Sequence, residues 1–218
     1  MLRPEIATDA VIDAWAAAYG QLADLLIGLE EGIYSEREKA PGGWRGTRRF
    51  IVERKIAESD EITSFYLLPE DSGALLDFHP GQYIGLRLVI DGEEVRRNYS
   101  PSAAPNGHDY RISVKREPNG RVSTFLHDAL HAGDGINLYP PAGDFKLEES
   151  DKPLVLISGG VGITPPLAML QAALATKRPV HFIHSARHGG ASSAAQALLV
   201  LRARACRRSR SARYRLRQ

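Results

Sequence analysis

Six short runs of strand-forming residues lie between Thr47 and about Leu147, and turn signals separate them. The runs are Phe50–Glu58, Thr63–Pro69, Tyr83–Ile90, Val95–Ser100, Tyr110–Lys115 and Gly135–Tyr139. The turns are Asp71-Ser72-Gly73, Asp91-Gly92, Pro105-Asn106-Gly107 and Pro118-Asn119-Gly120. Gly and Asn supply the backbone conformations that tight turns need, and Pro presets them. Regular short strands broken in this way predict a small antiparallel barrel. A segment of about 100 residues is enough to bury its core.

Different patterns flank this segment. Thr8 or Asp9 can cap a helix running to about Tyr34. Its apolar positions Val11, Ile12, Trp15, Tyr19, Leu22, Leu25, Leu26, Leu29 and Ile33 fall at helical spacing, in one wide stripe. Ala40-Pro41-Gly42-Gly43 breaks the helix and marks a boundary. After Lys152 the pattern becomes strand Leu154–Ser158, helix Pro166–Ala175, strand Val180–Ala186, which is one βαβ unit.

Three motifs in the β-rich segment carry candidate chemistry. Arg97-Asn98-Tyr99-Ser100 sets a cation, an aromatic ring and a hydroxyl on one strand. Residues two apart share a face, so Arg97 and Tyr99 point one way and Ser100 the other. An Arg can pair with a diphosphate, a Tyr can lie against a flat heterocycle, and a Ser can hydrogen-bond its edge. Alone, the stretch also fits an edge strand with an exposed Arg and a packed Tyr. Gly120-Arg121-Val122-Ser123 reads as a turn entering a helix from Ser123 to roughly His131. Such a start offers free N–H groups and a favourable dipole to a phosphate, and also fits an ordinary Ser N-cap. Pro80-Gly81-Gln82-Tyr83 supplies a second aromatic after a turn, or a hairpin corner.

Gly159-Gly160-Val161-Gly162-Ile163-Thr164-Pro165 follows the strand Leu154–Ser158 and opens a helix. Strand, glycine turn, helix is the first unit of a nucleotide-binding α/β domain. It is not a Walker phosphate loop, since no Gly-Lys-Ser/Thr follows. Pro165 stands where the usual dinucleotide fingerprint has its third glycine.

In this order the motifs resemble the ferredoxin–NADP reductase superfamily, and most closely its flavohemoglobin branch, the nitric oxide dioxygenases. The resemblance runs from about Thr8 to about Gly190. It includes Gly42-Gly43-Trp44-Arg45-Gly46-Thr47-Arg48, Tyr110 to Glu117, Pro141-Ala142-Gly143-Asp144-Phe145 and His184-Ser185-Ala186-Arg187. The resemblance implies an α+β multi-domain chain. Its parts are a globin-derived helix (1–40), a six-stranded antiparallel FAD-binding barrel (45–150), the start of an NAD(P)-binding domain (151–190) and a basic tail outside the fold (191–218). It implies FAD held by Tyr83, Arg97, Asn98, Tyr99, Ser100, Gly120, Val122 and Ser123. It implies NAD(P)H held at Gly159, Gly160, Val161, Gly162, Ile163 and Thr164, weakly or not at all. His127 falls in the family's Ser-x-x-Leu-His flavin turn. In the family NAD(P)H reduces the flavin, and the flavin reduces haem for nitric oxide detoxification.

The sequence also departs from that family. No His precedes His79, so the helix has no axial ligand beside it, and no haem is expected in this chain. Gly32 stands where the family has a haem-pocket glutamate, with Glu31 one place earlier. The nucleotide domain is expected to be incomplete. No acid follows Asp151, and from about Ala191 Ala, Ser and Arg dominate. The expected account is a stretch translated out of the ancestral frame. A basic arm for nucleic acid is the rival, and no nucleic-acid partner is expected. The expected function is therefore the flavin-dependent reductase portion of a flavohemoglobin. The alternatives are a non-catalytic or nonfunctional FAD-binding fragment, or a diaphorase serving a separate haem or iron–sulfur partner.

Composition narrows the setting. A single cysteine, Cys206, excludes an internal disulfide and argues against a cysteine-built metal site. His127 and His131, four apart, could share a metal, but no metal is expected there or at His181 and His184. With no apolar region after Met1–Glu5 and no apolar run read as long enough for a bilayer, a cytoplasmic protein without membrane partners is expected.

Overall fold

The computed structural model describes residues 8–185, and the backbone of residues 213–216. The chain forms two compact units, Met1–Ala40 and Pro41–Gln218.

The first unit is a single helix, α1 (Asp9–Lys39). Thr8 caps it, its Oγ1 accepting from Val11 N–H at 3.4 Å. The helix runs past the expected end at Tyr34, because Ser35 to Lys39 contains no breaker and is rich in good helix formers. It stops at Ala40, which precedes Pro41 and so avoids the helical region. None of its residues is buried, and Trp15, Tyr19 and Leu25 stand exposed. Contrary to the expectation from the sequence, α1 is long and apolar enough, by length and composition, to cross a membrane. Its apolar residues do not form an uninterrupted run, but a helix of this length carries an isolated charge such as Asp24. Core helices of water-soluble proteins meet the same test.

The second unit opens on the predicted six-stranded antiparallel sheet. Its strands are β1 (Arg48–Ala57), β2 (Ile62–Pro69), β3 (Ile84–Ile90), β4 (Glu93–Tyr99), β5 (Tyr110–Lys115) and β6 (Gly135–Leu138). They lie in the order β4-β3-β6-β1-β2-β5. The register slips between Val52 and Arg54 in β1, a bulge of the kind that bends a strand and raises its twist. The sheet curls until its two ends approach, and a bridge from Pro101 to Ile112 joins them. Alternate residues Phe50, Val52, Phe65, Leu67, Ile84, Leu86, Tyr110, Ile112, Ile136 and Leu138 fill the interior. Trp44 seals one end, donating Nε1–H to the Leu138 carbonyl at 3.0 Å. Gly42 beneath it has φ +74°, and a Cβ there would lie 2.5 Å from the Leu75 carbonyl carbon, so only glycine fits.

A short helix, α2 (Arg121–Asp128), links β5 to β6. Beyond the barrel come β7 (Leu154–Gly159), a single 3-10 turn (Gly160–Ile163), α3 (Thr164–Ala175) and β8 (Val180–Ser185). β7 and β8 are parallel, as a βαβ unit requires. One face of α3 packs on them through Leu167, Leu170 and Ala173, with Ile163 of the 3-10 turn, against Leu156, Val180 and Phe182. A further strand, β9 (Arg213–Leu216), pairs parallel to β8. The sequence pattern predicts no strand there. The rest of the basic stretch from Ala191, with Cys206, lies outside the described residues, as does Arg187. Two contacts among the described residues join the α/β part to the barrel segment. Met169 packs over Gly81, where a Cβ would collide with it, and the Gln171 side chain accepts from Ala104 N–H at 2.8 Å.

Candidate functional site

β4 ends one side of the curled sheet and carries Arg97, Asn98 and Tyr99. Its register sets Arg97 opposite Leu86 and Tyr99 opposite Ile84, so both side chains rise from the face those two residues share, as the alternation predicts. Arg97 is exposed, and its Nη1 bonds only the neighbouring Arg96 carbonyl, at 2.7 Å. Among the described residues no carboxylate lies in ion-pair range of it. Its cation is available to an anion. Tyr99 is half-buried, and burial pushes its phenol above the ordinary range, so it stays neutral. Asn98 stands on the opposite face, beside Gly85. Ser100 follows the strand and is partly exposed.

The second element is the start of α2. Its N-cap is Gly120, not Ser123, and no side chain caps it. The expectation had the helix starting at Ser123. Instead the helix begins two residues earlier, and the Ser123 hydroxyl turns inward. It accepts from Glu117 N–H at 3.1 Å and donates to the Gly120 carbonyl at 3.1 Å. Val122 is buried in the core. At this helix start the side chains of Val122 and Ser123 are turned inward, so neither is offered to a ligand. No acid lies in the first turn itself, where a carboxylate would offset the positive end of the dipole.

Arg121 brings these two elements together. It donates Nη1 to Glu93 Oε2 at 2.5 Å and Nη2 to the Ile90 carbonyl at 2.5 Å. The start of α2 is thus tied to the β3–β4 hairpin whose second strand carries Arg97. No spacing rule shows this, because Arg121 and Glu93 are 28 residues apart.

Tyr83, expected as the first residue of the strand, lies one residue before the observed β3, in a bridge with Ala142. Its ring packs on Gly143, where a Cβ would sit 2.9 Å from the ring. Gln82 Nε2 donates to the Gly143 carbonyl at 3.2 Å. The sequence reading noted Pro141 to Phe145 only as a motif; the structure makes Gly143 the floor under the Tyr83 ring.

His127 is a structural member of α2. Its Nε2 lies 2.9 Å from the Val114 carbonyl and its Nδ1 3.4 Å from Thr63 Oγ1. His131 is exposed beside Asp134.

The glycine turn sits at the C-terminal edge of β7, where parallel sheets receive nucleotides. Gly159, Gly160, Val161 and Gly162 are exposed. Gly160 has φ +52°, a conformation glycine takes without strain. Ile163 and Thr164 are buried instead. Ile163 belongs to the core under α3, and Thr164 Oγ1 donates to the Val161 carbonyl at 3.4 Å. Those two hold the turn, and the exposed backbone before them is what a ligand can reach. Beneath the turn, Ser158 Oγ lies 2.9 Å from His184 Nδ1 on β8.

Known proteins resemble this chain in sequence and fold. Residues 49–147 match the family model of the oxidoreductase FAD-binding domain. A flavohemoprotein of Burkholderia sp. (strain TH2) is 71% identical over 190 residues, covering 87% of this chain and 48% of that protein. The chain spans about half the length of the curated relatives it matches. Among solved structures, the flavohem-like FAD/NAD-binding domain of a nitric oxide dioxygenase from Vibrio cholerae superposes with a TM-score of 0.70 and 38% identity. That match covers 78% of this chain and 79% of that one. A Malassezia yamatoensis flavohemoglobin with bound FAD and heme gives 0.80 at 25% identity, covering 97% of this chain and 54% of that one. At 38% identity over most of that Vibrio cholerae domain, and with the FAD-binding family model matched across its barrel, the chain belongs to the flavohemoprotein family, as an FAD-binding oxidoreductase domain joined to an α/β unit.

Proposed function

We propose that the chain holds FAD along β4 and the start of α2, and passes electrons from a nicotinamide nucleotide toward haem. The observation that carries this is Arg97, a cation without a carboxylate partner, on a hairpin that Arg121 ties to an uncapped helix. A diphosphate needs those two things together, a guanidinium and a row of backbone N–H groups. Tyr99 and Tyr83 offer neutral aromatic faces for the ring, and Ser100 offers its hydroxyl to the ring edge or its side chain. Bound FAD would supply hydride acceptance and electron transfer, and the protein orients it. The exposed turn Gly159–Gly162 offers its backbone N–H groups to the phosphates of NADH or NADPH. The α1 helix is the last helix of a globin domain in this reading. Nitric oxide dioxygenation with haem, and a cytoplasmic setting, belong to the same proposal.

The test is the absorption spectrum of purified protein reconstituted with FAD. A stoichiometric flavin spectrum supports the site. Its bleaching by NADH under nitrogen supports the reductase, and absence of bleaching leaves a flavin-binding module without that activity. A colourless protein that takes up no FAD would overturn the proposal.

A further inference from the structure

Ser102 follows Ser100 by two residues and is fully buried. Its backbone N–H donates to the Arg111 carbonyl at 2.8 Å, pinning the segment after β4 against β5. The side chain continues the link. Ser102 Oγ lies 2.7 Å from Ser113 Oγ, and Ser113 Oγ lies 2.7 Å from Ser64 Oγ. All three hydroxyls are buried on the outer side of β2 and β5. Arg111 Nη2 reaches Ser64 Oγ at 3.2 Å, and Nε reaches it at 3.3 Å. Glu58 holds that guanidinium at 2.5 Å, and both partners are largely shielded from water.

Two contacts of this chain have a set direction. A guanidinium only donates, so Ser64 accepts from Arg111. At the other end Ser102 donates to the Arg111 carbonyl, at 3.4 Å. Between them the three hydroxyls pass hydrogen bonds from one to the next, and either member of each serine pair can donate. The hydrogen bonds form a ring that starts and ends on Arg111.

We infer that Ser64, Ser102, Ser113 and Arg111 are positioning residues for the flavin site, which fix Pro101–Ser102 and thereby the backbone of Ser100. This rests on the FAD reading above. Buried polar groups are hydrogen-bonded because an orphan is expensive, and a closed network resists partial disruption. This one sits two residues from the hydroxyl offered to the flavin. Its rigidity is inherited by Tyr99 and Ser100 through one Pro, whose φ is already restricted.

The experiment uses the full chain with FAD and three variants. Ser113→Ala opens the ring at its middle. Ser102→Ala opens it at the end beside the site, in case the first variant folds poorly. Ser113→Thr restores the hydroxyl. Each is assayed by FAD titration and by visible circular dichroism of the bound flavin, well below its melting temperature. The expected result for both Ala variants is a rise in the FAD Kd of roughly fivefold to tenfold. A changed flavin circular dichroism band accompanies it, and Ser113→Thr reverses both effects. A lower melting temperature with unchanged Kd and unchanged band would show a purely structural ring and overturn this inference alone. Failure of the unaltered chain to bind FAD would overturn it together with the reading it rests on.

Discussion

The Lys55 ammonium lies 2.6 Å from the Leu130 carbonyl oxygen and also donates to the carbonyls of His127 at 2.8 Å and Leu126 at 3.1 Å. One side chain from β1 thus satisfies three carbonyls at the end of α2, the helix whose other end faces the proposed flavin site. A cation at a helix C-terminus also complements the dipole. Burial lowers the Lys55 pKa, while Asp128 and Asp134 oppose that effect. Lys55→Met keeps the bulk and removes the three donors. The expected loss of stability is about 1–3 kcal/mol, read from urea unfolding of the two proteins. An unchanged midpoint would mean that water replaces the ammonium without penalty.

Arg97→Ala should weaken FAD binding by about one to two decades. A charge-assisted contact to a diphosphate contributes on the order of 1.5–3 kcal/mol, and each 1.4 kcal/mol is tenfold. Arg97 is exposed and has no carboxylate partner to strand, so its loss should leave the melting temperature of the FAD-free protein where it was. Flavin fluorescence titration checks the first outcome and thermal unfolding the second. Equal affinity in both proteins would remove Arg97 from the site.

Gly143 has φ +103°, and a Cβ on it would lie 2.9 Å from the Tyr83 ring. Gly143→Ala therefore combines backbone strain of about 1–3 kcal/mol with displacement of the ring. The variant should lose stability by about that amount and bind FAD less tightly. Paired unfolding and titration measurements would show both effects. Lost stability with full FAD affinity would mean that Tyr83 is packing only.

Much of the fold was legible because its signals are local. Asp91-Gly92 forms the β3–β4 turn, with Asp91 and Gly92 both at positive φ, and the alternation of β4 placed Arg97 and Tyr99 on one face. The start of α2 was less legible. Ser123 has the chemistry of an N-cap, but Arg121 is drawn into the helix by Glu93 and the Ile90 carbonyl, far away in sequence. The same holds for the Lys55 cap and for the Ser64–Ser113–Ser102 ring, which exist only once β2 and β5 are in register. The burial of Ile163 and Thr164 is likewise a tertiary fact. The glycine turn predicts a phosphate cradle but not which of its residues turn inward. β9 was missed because its strand signal lies in an arginine-rich stretch.

His184 on β8 is buried, its ring stacked near that of Phe182, with Nδ1 2.9 Å from Ser158 Oγ on β7. A Ser158 hydroxyl donating to Nδ1 requires neutral imidazole with its proton on Nε2. Burial lowers the His184 pKa, which fixes the sign of its pH dependence. The unfolded chain takes up a proton near pH 6.5, an ordinary histidine value, while the folded protein resists until lower pH. The contribution of His184 is therefore fully present above about pH 6.5 and declines as pH falls toward its folded pKa. It then levels off, and the slope between the two cannot exceed about 1.4 kcal/mol per pH unit for one proton. The measurement is a difference, so that whatever the two proteins share cancels. Urea unfolding of the protein and of His184→Leu is compared from about pH 7.5 to about pH 5. The variant should lose stability overall, because Ser158 is left without its acceptor, and its curve should be flatter across that range. Parallel curves would show that His184 takes up its proton equally in both states, and that burial does not govern the pair beneath the glycine turn.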